Sequence, residues 1–263
     1  MIQLKTKGIP NNITDTIIAK IVSSNNELEK ICISSKTSEK IFLSTSKEED
    51  HTKDNSSNIK IICNIPSLNH IANGDIVLLN PNGSIFTLFR DKSLHNSLFI
   101  TDRCNSNCLM CSQPPKNFDD LNYYFEINKQ LIKMIPTSTK ELGITGGEPT
   151  LLGNKLITLL EIITNNLPQT NIHILTNGRS FAWENVAKAI SKVKNSNIVF
   201  GVPLYSDFFQ QHDYVVQAKG AFNQTILGFH NMARYGLRIE LRVVLHKQTY
   251  KRLPELAKYI YKN

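Results

Sequence analysis

From Ser97 onward, strand-like and helix-like stretches alternate, and this alternation narrows the fold of the 263-residue chain more than any other feature. Apolar runs of strand length lie at about Ser97–Thr101, Lys140–Thr145, Asn171–Thr176, Ile198–Tyr205 and Arg238–Leu245. Between them, apolar residues at helical spacing predict helices over Leu121–Ile135, Lys155–Asn165, Ala182–Lys192 and Ala221–Tyr235. Gly236 follows the fourth as its C-terminal cap, and a fifth helix starts at Leu253. Alternation of this kind builds a parallel sheet, and right-handed crossovers curl such a sheet toward a barrel. The expected fold class is therefore α/β, a partial (βα) barrel of five units over residues 93–263.

Residues 1–92 read differently, as a small β-rich domain. Short strand-like runs at Thr16–Val22, Lys30–Ser34, Lys40–Leu43, Ile59–Ile65, Asp75–Leu79 and Ser84–Arg90 are separated by turn residues. Asn82-Gly83 between two apolar runs predicts a hairpin. The pattern fits a sandwich or barrel, with Ser44–Asn58 as a polar, mobile loop. Cys32 and Cys63 lie in strand-like runs and are expected to be buried small hydrophobes.

The polar motifs of the second region all fall after strands. Cys104, Cys108 and Cys111, spaced C-x3-C-x2-C, follow the first. Gly146-Gly147-Glu148-Pro149 follows the second, Thr176-Asn177-Gly178 ends the third and Ser206 ends the fourth. The C-terminal strand ends of an α/β barrel share one rim, where active sites are built. Three soft thiolates suit an iron–sulfur cluster, zinc or copper(I). On a cubic four-iron cluster, three cysteines leave one iron open to a ligand. A structural zinc knuckle is the other reading, and it needs a fourth ligand that no nearby His or Cys offers. Gly146 and Gly147 allow a ligand to approach the backbone.

C-x3-C-x2-C after a first strand resembles the signature of the radical S-adenosylmethionine superfamily. The resemblance runs from about Ser97 to the C-terminus. It implies a [4Fe-4S] cluster on Cys104, Cys108 and Cys111, with S-adenosylmethionine chelating the fourth iron and yielding a 5′-deoxyadenosyl radical. It also implies that Gly146, Gly147 and Glu148 meet the cofactor's methionine end. Asn177 contacts the cofactor or supports the rim, Ser206 matches a ribose-binding position, and Met110 packs near the adenine. Arg242, within the fifth strand, pairs either with the cofactor carboxylate or with a structural partner. His212-Asp213 reads as a solvent-facing loop pair. The superfamily core usually has six βα units; five are visible here, as in a barrel truncated at its C-terminus. The stretch CNSNCLMCSQPP (Cys104–Pro115), with LFITDR before it, is similar to one branch, the radical maturases of His-Xaa-Ser peptide systems.

That branch implies a ribosomal peptide or small protein as substrate, a companion radical enzyme and an electron donor. A glycyl-radical-enzyme activase and a non-catalytic accessory module remain alternatives. The net charge of +8 comes from scattered lysines without a basic run, so neither nucleic acid nor membrane is expected as a partner. Five cysteines, three of them in one loop, do not make a disulfide framework, and a reducing cytoplasm is the expected compartment. Neither a signal segment nor a bilayer-spanning run is visible.

Overall fold

The computed structural model describes residues 4–26, 29–46 and 59–262. The chain divides into two compact units, Met1–Asn96 with Lys129–Pro136, and Ser97–Asn128 with Thr137–Asn263.

The first unit holds one mixed sheet of eight strands. They are β1 (Lys5–Lys7), β2 (Ile9–Asn11), β3 (Ile17–Asn26), β4 (Glu29–Ser34), β5 (Lys40–Ser44), β6 (Lys60–Cys63), β7 (Ile76–Leu79) and β8 (Ser84–Phe89). Their order is β1-β8-β7-β3-β4-β5-β6-β2. The two outermost strands are neighbours in the chain, with only Gly8 between them. They are two halves of one bent strand, and that strand joins the two edges of the sheet into a barrel. A Cβ at Gly8 would lie 2.3 Å from the Cys63 carbonyl oxygen, so glycine is what lets the strand bend there. The Gly8 N–H donates to the Gly83 carbonyl at 3.1 Å. The expected Asn82-Gly83 turn is present, with Ser84 N–H on Asn82 Oδ1 at 2.9 Å. Ile21, Ile41, Leu43, Ile62 and Leu79 fill the core beside Cys32. Burial pushes the Cys32 thiol up to about 12, as expected of a small hydrophobe. Residues 47–58, most of the predicted polar loop, lie outside the described residues.

The second unit is built on five parallel strands in chain order: β9 (Ser97–Phe99), β10 (Glu141–Thr145), β11 (Asn171–Leu175), β12 (Ile198–Pro203) and β13 (Ile239–Arg242). The helices are α1 (Leu121–Ile132), α2 (Asn154–Asn166), α3 (Glu184–Ile190), α4 (Phe209–Val216), α5 (Ala221–Arg234) and α6 (Leu253–Lys262). Leu156, Leu159, Leu160 and Ile163 form the buried stripe of α2, at the spacing of one helical face. Leu142, Ile144, Ile172, Ile174, Phe200 and Val202 are buried on one sheet face. Gly143, Thr145, His173, Leu175 and Val199 alternate with them and stay half-buried. Phe181 meets Phe200 edge-on at 5.4 Å. Four of the five strands end one to three residues before their apolar runs do, because residues such as Thr101, Thr176 and Tyr205 already belong to rim loops, whereas β10 runs to Thr145 as expected.

One expectation is corrected here. His212 and Asp213 lie in α4, not in a solvent-facing loop. His212 is 1 % exposed, and its Nδ1 accepts the Tyr205 N–H at 3.3 Å. Burial drives its pKa down to about 4, so the ring is neutral. Asp213 takes the backbone N–H groups of Gly220 and Phe222, at 2.6 and 2.8 Å, and so braces the start of α5. Among the described residues, β13 is an edge of its sheet, and no helix is long and apolar enough to cross a membrane.

Candidate cluster and cofactor site

The cysteine loop leaves β9 and is anchored before it reaches Cys104. Asp120 receives the Thr101 hydroxyl at 2.5 Å and the Asp102 N–H at 2.7 Å. Thr101 Oγ1 in turn accepts the Arg103 N–H at 3.0 Å. The Gly-Gly-Glu segment runs alongside. Gly147 N–H donates to Thr101 O at 2.6 Å, and Glu148 N–H to Arg103 O at 2.8 Å. Parallel pairing of β9 with β10 is thereby carried into the rim.

This close run explains both glycines without a ligand. Gly146 has φ +129°, and a Cβ there would sit 2.8 Å from Thr101 O. A Cβ at Gly147 would sit 1.9 Å from Arg103 O and 2.5 Å from its carbonyl carbon. Gly147→Ala should therefore push the cysteine loop away from β10. We expect it to cost about 3 kcal/mol in urea unfolding of the cluster-free protein, as overpacking does. Gly153→Ala is the comparison: nothing lies within 4 Å of its Cβ, so its loss comes from backbone strain at φ +57° alone and should be about 1–2 kcal/mol. Equal losses would remove the packing account.

Glu148 is 1 % exposed, and its carboxylate ties the rim together. Oε1 accepts Thr150 N–H at 3.0 Å, the Thr150 hydroxyl at 2.7 Å and the Thr176 hydroxyl at 2.6 Å. Oε2 accepts Asn177 N–H at 2.7 Å. Asn177 sends its own amide to Asn105 Oδ1, at 2.6 Å, and lies 3.9 Å from Cys104 Sγ. Arg179, which sequence reasoning passed over, donates to the Asn105 carbonyl and, at 3.0 Å, to Ser106 Oγ. The second and third motifs thus meet the cysteine loop directly.

Met110 and Cys108 pack against Tyr205, Val215, Val216 and Ala221, which places the fourth strand end beside the same loop. Asn107 and Leu109, flanking Cys108, donate N–H groups to Val216 and Val215 carbonyls, both at 3.0 Å. Ser206 is buried beside Tyr205; its hydroxyl donates to Gln211 Oε1 at 2.8 Å and accepts Phe208 N–H at 3.2 Å. Arg242 turns away from the rim along the half-buried sheet face. Its Nε meets Glu240 at 2.7 Å and its Nη2 lies 3.3 Å from His173 Nδ1.

Burial, the largest influence, holds the Cys104 thiol up at about 11; the Ser106 backbone opposes it and the Glu148 charge adds to it. Burial and then the neighbouring Cys111 raise Cys108. Iron would have to take the place of those protons. Among the described residues, no three Cys, His, Asp or Glu side chains converge as ligands of a single metal ion. A cubic cluster asks instead for one thiolate per iron. Three thiols on one anchored loop, with Asn177 beside Cys104, fit that demand with one iron left open.

The sequence profile of the Radical SAM superfamily matches residues 98–260. The chain belongs to the Radical SAM superfamily. Radical SAM proteins use a [4Fe-4S] cluster and S-adenosylmethionine, and these are the cofactors of this fold. An uncharacterized protein of Methanocaldococcus jannaschii is 25% identical over 176 residues, 65% of this chain and 59% of its own length. A putative glycyl-radical enzyme activating enzyme of the same organism is 31% identical over 99 residues, 34% of this chain and 25% of its own. The chain therefore spans less than two thirds of either relative. The crystal structure of Streptococcus suis SuiB is similar in fold, with a TM-score of 0.50 at 15% identity, over 96% of this chain and 60% of SuiB.

Proposed function

We propose that this chain is a radical S-adenosylmethionine enzyme of the cytoplasm that modifies a ribosomal peptide of a His-Xaa-Ser repeat system. The observation that carries the reading is the joining of three motifs by Glu148, whose backbone meets Arg103 while its carboxylate holds Thr176 and Asn177. The CNSNCLMCSQPP stretch supports the peptide branch. Cys104, Cys108 and Cys111 would hold the cluster, which would supply the electron for reductive cleavage of S-adenosylmethionine. Gly146, Gly147 and Glu148 form the wall for the methionine end. Asn177 orients the rim beside Cys104, and Ser206 and Met110 line the remaining side, while Arg242 takes the structural role, held by Glu240 and His173. The packed shell of Tyr205, Val215 and Val216 covers one side of the half-buried Cys108.

A second reading, activation of a glycyl-radical enzyme, is favoured by the likeness to the M. jannaschii activating enzyme. Anaerobic, cluster-loaded protein given a low-potential one-electron donor and S-adenosylmethionine should form 5′-deoxyadenosine. A His-Xaa-Ser repeat peptide should raise that yield and change mass. A glycyl-radical signal on an added partner enzyme, with the peptide unchanged, selects the second reading. Absence of 5′-deoxyadenosine with all of them present leaves only the accessory-module alternative.

A further inference from the structure

The fifth strand end carries a polar group that none of the motifs accounts for. His246 lies four residues past β13, on the same rim as the cysteine loop. Its Nδ1 accepts the Gln248 N–H at 3.4 Å, which leaves the ring proton on Nε2. Nε2 is withdrawn from solvent and meets no acceptor among the described residues. A buried donor without an acceptor is costly, and proteins seldom leave one without a reason.

The loop that bears it does not need this nitrogen to stay in place. Arg252 grips Asp207 through Nε and Nη2, at 3.0 and 2.7 Å. Gln211 donates to the Gln248 carbonyl while accepting the Ser206 hydroxyl. Thr249 and Tyr250 close the turn by donating N–H groups to the His246 carbonyl, at 3.0 and 3.1 Å. The imidazole is thus carried to Tyr205, with ring centroids 6.3 Å apart. Tyr205 is the residue that packs on Cys108 and Met110. Held by others, its Nε2 exposed to neither water nor an acceptor, and set beside the cluster loop, the half-buried ring is poised for a ligand atom.

We propose that His246 Nε2 donates a hydrogen bond to the adenosyl end of bound S-adenosylmethionine, at a ribose oxygen or an adenine nitrogen. The inference rests on the function proposed above. The strand order supports the adenosyl end: Gly146–Glu148 follow β10, and β13 stands three places away across the sheet. A cofactor whose methionine lies at the first reaches His246 with its other end.

The test uses cluster-loaded protein under argon and calorimetric titration with S-adenosylmethionine, 5′-deoxyadenosine and methionine as separate probes. Iron is counted in every sample. His246→Phe should weaken S-adenosylmethionine and 5′-deoxyadenosine about tenfold, the loss of one hydrogen bond, and leave methionine and iron unchanged. His246→Gln, whose amide still donates, should stay within about threefold of wild type. Unchanged binding by His246→Phe overturns the proposal. So does an equal loss for methionine, which marks a general disturbance of the rim. Wild type that loads iron yet binds no S-adenosylmethionine refutes the function reading itself, and is told apart because it needs no variant.

Discussion

Cys108→Ala should take nearly all the iron from the protein while leaving it folded. Wild type loaded anaerobically should hold about four irons and four sulfides per chain, and the variant less than about one iron. The residue suits the test because its backbone is fixed independently of any metal. Asn107 and Leu109 on either side are bonded to the end of α4, and the side chain packs on Tyr205 and Val215. An alanine keeps those bonds, so far-ultraviolet circular dichroism should match wild type. The same changes at Cys104 and Cys111 should empty the site equally. Colorimetric iron and sulfide assays check the outcome. Stoichiometric zinc without sulfide in wild type would sink the cluster reading, as would full iron in Cys108→Ala.

Glu148→Ala should be the most destabilising single change on the rim. It leaves three donors without an acceptor, Thr150 N–H, the Thr176 hydroxyl and Asn177 N–H, while the Thr150 hydroxyl keeps Ser180 Oγ at 2.7 Å. Each buried donor left unsatisfied costs about 1–3 kcal/mol, so the loss should be at least about 3 kcal/mol. Urea unfolding of the cluster-free protein measures it without interference from iron. Glu148→Gln retains one carbonyl oxygen but turns an amine toward a donor, and should lose about half as much. In the intact protein Oε1 is saturated and Oε2 carries one bond, so any ammonium meets Oε2. A loss under about 1 kcal/mol in Glu148→Ala would mean that the carboxylate does not brace the rim.

Local features were legible in the sequence, and features made by distant contacts were not. The cysteine spacing, the Gly-Gly-Glu-Pro turn and the apolar runs of all five parallel strands are read over a few residues. Strands β1 and β2 escaped because three residues apiece, around Gly8 and Pro10, carry no readable alternation. Helix α4 escaped because Phe209–Val216 reads FQQHDYVV, where polar residues interrupt the apolar stripe and the helix is only eight residues long. The double duty of Glu148 was hidden because Thr176 and Asn177 lie 28 and 29 positions on. Gly147 looked like room for a ligand, whereas the first thing its missing side chain makes room for is the Arg103 carbonyl. His246 carries no sequence signal at all, since an orphaned nitrogen is a property of packing.

The bent strand around Gly8 has a consequence for how the first unit forms. Its two halves seek partners far along the chain: Thr6 pairs with Ile85, and Pro10 with Ile62. Hairpins such as β7–β8 can form early from nearby residues, but the seam must wait until the whole meander is in place. Long loop closures of this sort slow folding and prolong the life of open intermediates. Until the seam zips, β6 and β8 both present unpaired edges, and those are the templates on which neighbouring chains join. The unit's hazard is therefore kinetic: crowding during refolding should cost more yield than any loss of stability in the finished barrel.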